Sequence, residues 1–276
     1  MLVPLMNATF ITRLTPKLRR KTNRKPPAGF ALLLAGLLGL AGCMTPGPNH
    51  VYLAPAAGEG ATILDLAESQ PDVEVPACLA PGDQVLGVAY DPFTDHLFLR
   101  LAPGNHVRVV DRPARRIKRE FDVAGLPPTG GGDLAIRSRD RHLFFVHPTE
   151  PVIVEITIEG EFVRRIPLEG VSAPPAGLAY DQQHNQLLTL TGGDLATVSV
   201  YDLDGHRLRG IGLGRNVKLG ALAYDSVAAE LFVPLADKSA IGVFDLQGEL
   251  RRQLPVPASP DRPFLDVGPR SFLRIF

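Results

Sequence analysis

Gly177-Leu-Ala-Tyr-Asp181 decides how the whole chain is read, because it recurs. The other copies are Gly87-Val-Ala-Tyr-Asp91, Asp133-Leu-Ala-Ile-Arg137 and Ala221-Leu-Ala-Tyr-Asp225, and their central alanines, Ala89, Ala135, Ala179 and Ala223, are 46, 44 and 44 residues apart. A short apolar run follows each copy: Leu97-Phe-Leu99, Leu143-Phe-Phe-Val146, Leu187-Leu-Thr-Leu190 and Leu231-Phe-Val233. An alternating run comes next, as in Val152-Ile-Val-Glu-Ile156 or Thr197-Val-Ser-Val-Tyr201, and each unit closes on a polar turn and a basic-apolar strand. Four short strands per unit, repeated at a period near 44 residues, predict an all-β fold of propeller blades.

Residue choice fits the taper of a blade. A first strand lines the crowded central axis, and Gly87, Ala89, Ala135, Gly177, Ala179, Ala221 and Ala223 are small enough to sit there. The axis is therefore expected to be apolar. Gly160, Gly205 and Gly248 fall at matching turn positions that favour a positive φ, whereas the first unit has Ala114 after Pro113 and needs a different turn.

Four complete units span 85–256, and the flanks set the blade number. Val51–Leu53, Thr62–Leu66 and Val73–Val75 read as second, third and fourth strands, and Phe264–Val267 aligns with a first strand. Joined, the termini give a fifth blade and leave no open edge for pairing with other chains. Five blades are expected, six being the alternative. Ser271–Phe276 either displaces Val51–Leu53 or pairs beside it.

Upstream of the repeats lies a segment of another kind. Residues 1–42 hold seven basic side chains and no acidic one, and end in a twelve-residue apolar run from Gly29 to Leu40. The run is too short to span a bilayer, which takes about 20 residues as a helix, and reads as the core of a cleaved signal peptide. Leu40-Ala41-Gly42-Cys43 resembles the bacterial lipobox. That resemblance implies cleavage before Cys43, a covalent lipid on its sulfur as the one non-protein group, and, with Met44 and not aspartate next, the outer membrane with a periplasm-facing leaflet by default. The expected organisation is a leader at 1–42, a lipidated tether at 43–50 and a propeller at 51–276.

Without the leader the chain keeps 22 basic against 29 acidic residues, a net charge of −7. Such a domain repels phosphate backbones, which argues against nucleic acid as a partner. Cys78 has no disulfide partner once Cys43 is acylated and reads as a small buried hydrophobe.

The Ala-Tyr-Asp strand, Leu-Phe strand and Asp-x-x-Gly turn together resemble the NHL, YVTN and SdiA-regulated repeat families of bacterial propellers, over nearly all of 51–276. The resemblance implies architecture. Those families usually have more blades, so no residue role is carried over from them.

Chemistry is sparse. Asp91, Asp181 and Asp225 occupy equivalent positions, which marks them as turn caps. His96, His142 and His184 are spread around the ring, too far apart for one tetrahedral site, and no nucleophile, zinc or dinucleotide motif is present. Gly130-Gly-Gly132 reads as an inter-blade connection. No catalytic residue, metal ligand or cofactor is assigned.

What remains is the face carrying the second-to-third-strand and inter-blade loops. Its candidate binding residues are Asn105, His106, His147, Glu150, Asp194, Asp237, Lys238, Arg215, Lys218 and Arg262, with Asp83 beside them. Surface loops on a rigid scaffold commonly hold binding function. The expectation is a membrane-anchored, non-catalytic scaffold that binds an envelope or periplasmic protein or a ligand. The alternative is a hydrolase or lyase, calcium-dependent in some propellers, acting on an envelope glycan or a small ester.

Overall fold

The computed structural model describes residues 49–55, 62–67, 70–75, 78–128, 130–191, 196–236, 240–256 and 264–269. Residues 1–48, with the expected leader, Cys43 and the tether up to Pro48, and residues 271–276 lie outside them, while Asn49 and His50, expected in the tether, are strand residues.

The described residues form twenty strands and no helix. The chain opens with β1 (Asn49–Ala54), β2 (Ile63–Ala67) and β3 (Gln70–Val75). Four consecutive units follow. The first is β4 (Gln84–Asp91), β5 (His96–Ala102), β6 (His106–Asp111) and β7 (Arg116–Asp122); the second is β8 (Leu134–Arg137), β9 (His142–Val146), β10 (Val152–Thr157) and β11 (Phe162–Pro167). The third is β12 (Gly177–Asp181), β13 (Gln186–Thr191), β14 (Thr197–Tyr201) and β15 (Arg207–Gly212); the fourth is β16 (Ala223–Asp225), β17 (Glu230–Pro234), β18 (Ala240–Phe244) and β19 (Leu250–Pro255). Last comes β20 (Phe264–Pro269), which pairs antiparallel with β1 in the register Val51↔Val267, Tyr52↔Asp266 and Leu53↔Leu265. The result is five four-stranded antiparallel sheets, the fifth in the order β20-β1-β2-β3. Their inner strands are neighbours in the cycle β4, β8, β12, β16, β20 and back to β4. The chain is a five-bladed β-propeller, closed by its first and last strands.

Burial follows position in the blade. Second strands are covered on both faces by adjoining sheets, so β5, β9, β13 and β17 are apolar and buried almost throughout. Fourth strands are outermost, and β7, β11, β15 and β19 are mostly exposed and rich in arginine.

Two turn devices repeat. After β4, β12 and β16, the carboxylates of Asp91, Asp181 and Asp225 accept N–H groups of their own turns: Phe93, then Gln183 and His184, then Val227 and Ala228. Between third and fourth strands, Asp202 and Asp245 do the same while Gly205 and Gly248 take φ of 89° and 85°. Those glycines are required twice over, since a Cβ would fall 1.9 and 2.0 Å from the carbonyl oxygens of Pro167 and Gly212 in the preceding blade. In the first unit the positive φ moves one residue on, to Arg115 at 53°.

The axis differs from the apolar lining expected of it. An inner strand has a free edge whose N–H groups need acceptors, and two carboxyl groups supply them. Asp133, fully buried, accepts from Leu134 through Oδ1 at 3.0 Å and from Leu178 and Leu222 through Oδ2 at 3.1 and 3.2 Å. Its Oδ1 also lies so close to Gly87 that a Cβ there would sit 2.7 Å away. Asp266 accepts from Tyr90 at 2.6 Å and from Val267 at 2.8 Å. The two residues thus reach the inner strands of all five blades. Replacing Asp133 by alanine strips the acceptor from three buried N–H groups, each worth about 1–3 kcal/mol. Urea unfolding of D133A should show a loss of about 3 kcal/mol or more, with D133N intermediate; an unchanged midpoint would refute this role.

Candidate functional site

Each inner strand runs from the inter-blade connection at one end of the ring to the Asp-capped turn at the other. At the second end the five strands enclose a cavity of about 200 Å³. Tyr90, Ile136, Tyr180, Tyr224 and Asp266 each bring one blade to its wall. The remaining lining is mostly apolar, and Val227 stands exposed at the mouth.

The tyrosines at the strand ends are fixed by their own turns. Tyr90 donates its hydroxyl to Asp95 Oδ1 at 2.8 Å, and Asp95 is also held by Arg112 Nε at 2.5 Å. The Tyr180 hydroxyl bonds Asn185. Asp95 and Asn185 adopt the same left-handed backbone, with φ of 59°, a conformation short polar residues tolerate. The rings pack between blades: Tyr90 lies 4.5 Å from Tyr52, and Tyr180 stacks on Phe144 at 5.3 Å. Burial raises the pKa of Tyr90 far above the ordinary phenol value, and pushes those of Tyr180 and Tyr224 up to about 12. All three are neutral at physiological pH.

Asp266 is the group in the cavity wall that can change charge near neutrality. Burial pushes its pKa up to about 7, against the lowering effect of the Tyr90 and Val267 N–H groups. Asp133 is raised well above the usual carboxyl range, first by burial and in part by the nearby Asp266. Arg100 is fully buried on β5; its Nε donates to Asn105 Oδ1 at 3.0 Å and its Nη1 donates to the carbonyls of Gly132 and Val146 at 2.8 Å. Burial lowers its pKa to about 9, and Asp133 opposes that shift.

The face chosen from the sequence lies at the opposite end of the ring. Of its candidates, Asn105 is buried and ties Arg100 to the carbonyls of Pro127 and Gly130, so it braces a loop. His147 is also buried, its Nδ1 accepting the N–H of Glu150 at 3.1 Å, and burial lowers its pKa. These two side chains hold the scaffold together and are not presented to a partner. His106 is half-buried with Nδ1 3.1 Å from the Pro103 carbonyl, and Asp83 is paired with Arg108 at 2.5 Å. Glu150 is exposed and paired with Arg165 at 2.6 Å; Arg215 is exposed and Lys218 half-buried. Asp194, Asp237, Lys238 and Arg262 lie outside the described residues. Among the described residues, no three His, Cys, Asp or Glu side chains come together as metal ligands.

Both axial carboxyls carried a signal in the sequence. Asp133 stands in the register where the other repeats have Gly87, Gly177 and Ala221. Asp266 pairs with Tyr52 where Ala89, Ala135, Ala179 and Ala223 pair with Phe98, Phe144, Leu188 and Phe232, so it takes the place of the central alanine. An acid at a position that is otherwise Gly or Ala is the informative departure from the repeat.

No protein-family model matches the chain, and no curated protein sequence does. Solved structures resemble it in fold. The crystal structure of a nidogen/laminin complex contains a chain 13% identical, with a TM-score of 0.54 over 80% of this chain and 98% of that one. Myxococcus xanthus glutaminyl cyclase is 14% identical with a TM-score of 0.47, covering 62% of this chain and 70% of its own. A protein of unknown function from Bacteroides caccae is 16% identical with a TM-score of 0.46, covering 76% and 73%. The first of these likenesses supports the propeller fold.

Because the pKa of Asp266 is raised in the folded protein, its contribution to stability is complete below about pH 4 and is lost as pH rises through about 7. His96 and His147, whose pKa values burial lowers, act in the opposite sense, losing stability as pH falls. The difference between wild type and D266N isolates the carboxyl: it should shift in favour of the variant by on the order of 3 kcal/mol between pH 5 and 8.5. Denaturant titrations at each pH measure it, and a pH-independent difference would contradict the assignment.

Proposed function

We propose that the chain is a cell-envelope lipoprotein, acylated at Cys43, whose propeller is a non-catalytic binding module with its ligand site in the axial cavity. The observation that carries the reading is the cavity itself: one concave, mainly apolar space to which all five blades contribute, with Asp266 and Asp225 in its wall. Pockets of this kind, apolar with a few polar groups, are the usual form of a small-molecule site. Binding is favoured over catalysis by how the polar groups are committed. Asp225 Oδ1 caps its own turn, the Ser226 hydroxyl accepts the Gln182 N–H at 2.9 Å, and among the described residues no histidine, cysteine or lysine lines the space. The outer-membrane, periplasm-facing address rests on the leader and on Met44.

Two measurements test the parts separately. Radiolabelled palmitate should enter the wild-type protein and not C43A, which should move from the membrane to the soluble fraction; labelling of C43A would overturn the anchor. The chain contains no tryptophan, so V227W places a single indole at the cavity mouth and R215W places one on the opposite face. Small-molecule extract from the source cells should shift the indole emission of V227W and leave that of R215W unchanged. Equal responses, or none, would overturn the site.

A further inference from the structure

The cavity wall is electrically one-sided. Among the described residues, every charged side chain that lines it is acidic, namely Asp225 and Asp266, and a third carboxyl, Asp133, lies on the same axis near enough to influence Asp266. Among the described cations, Arg209 acts on Tyr224 and Arg252 on Asp225, the latter while paired with Glu230, and three other arginines are engaged elsewhere. Arg100 is held by Asn105, Gly132 and Val146, Arg137 by Asp140 and Glu155, and Arg112 by Asp95. The groups facing Asp266 are the backbone N–H of Tyr90 on β4, Tyr52 opposite it on β1, Asp133 preceding β8, and Tyr180, Tyr224 and Asp225 around the cavity. None of these brings a positive charge.

Around this acidic lining the wall is hydrocarbon: Pro92, Ala135, Ile136, Val227, Val267 and Pro269. We propose that the ligand of this cavity is a small organic cation with an apolar body, of the alkylammonium class, its charged head at Asp266 and its hydrocarbon against the aliphatic wall. The inference rests on the cavity being the ligand site. An ammonium head meets the charge of the wall, and the alkyl part removes apolar surface from water at roughly 25 cal/mol per Å². An anion of the same size would face the Asp225 carboxylate, and Asp266 whenever it is ionised, with no base among the described lining residues. Each axial carboxyl already accepts backbone N–H groups, which suits a monovalent head that needs only a remaining lone pair.

The cation draws its counter-charge from ionised Asp266, so binding releases a proton whenever the free carboxyl is protonated. The balance is R–NH3⁺ plus protonated Asp266 giving the ammonium–carboxylate pair and one H⁺ to buffer. With a free-state pKa of about 7, affinity should rise at least about tenfold from pH 5.5 to pH 8.

The indole emission of V227W, titrated at both pH values with n-butylammonium chloride, 1-butanol and sodium butyrate, tests this. The expected result is n-butylammonium bound at least about tenfold more tightly than 1-butanol at pH 8, butyrate weakest, and the n-butylammonium affinity falling at pH 5.5. Adding D266N should abolish the preference for the cation while 1-butanol still registers, which shows the cavity intact. If D266N fails to fold, the pH dependence of V227W alone decides. Equal binding of 1-butanol and n-butylammonium, or an affinity independent of pH, would overturn the cation and leave the cavity as a ligand site. No response to any probe while cell extract still shifts V227W would likewise overturn only the cation. No response to probes or extract overturns both.

Discussion

A propeller must satisfy the inner edges of its innermost strands, and here that constraint falls on two carboxyl groups. Every blade leaves one strand with backbone N–H groups facing an axis too narrow for another strand. Asp133 spans from its own blade to the two that follow, and Asp266 spans from the closing blade to the first. The glycines and alanines around them permit this approach. Gly177, for instance, lies where a Cβ would meet the Ala221–Leu222 backbone at 2.9 Å. The axis is therefore a polar staple inside an apolar wall, and the raised pKa values of both acids are the electrostatic cost of placing it there.

The same two residues show where reading the sequence succeeds and where it stops. Spacing of the central alanines, the apolar second strands and the Asp-capped turns is set by local geometry and repeats, so blade number and closure were legible from it. Pairing of Val51–Leu53 with Phe264–Val267 followed from counting strands. The site was not legible in the same way. By periodicity Asp133 is one more copy of the repeat and Asp266 an ordinary strand residue, because periodicity rewards what is shared and hides what departs. Two of the loop candidates are hidden for a related reason: Asn105 and His147 look exposed in a polar loop, and only the fold reveals Arg100 beneath the first and the turn N–H groups around the second.

Departures between blades form a pattern of their own. His50 and Asp65 in the closing blade stand 2.6 Å apart, and His142 and Glu155 make the equivalent 2.7 Å contact in the second unit. Glu155 also holds Arg137 and Arg164, and burial of that cluster is offset by its partners, which keep the Glu155 carboxyl below its ordinary pKa. Blades without such a pair place Val109, Val200 or Val243 at the position of the acid. The ring is thus built from one backbone plan and several side-chain solutions, which leaves the acids at the axis free to differ from blade to blade.

Closure by β1 and β20 has a kinetic consequence. Tyr52 and Asp266 are partners in one sheet although nearly the whole domain separates them in the chain. During vectorial synthesis or export, β1 emerges early and waits, its edge unpaired, until residue 264 is available. Loop-closure entropy grows only slowly with length, so the delay arises from order of arrival more than from free energy. Until then the nascent chain is an open arc whose exposed edges are the vulnerable surface for association with other chains, and docking of the last strand is the step that ends that exposure.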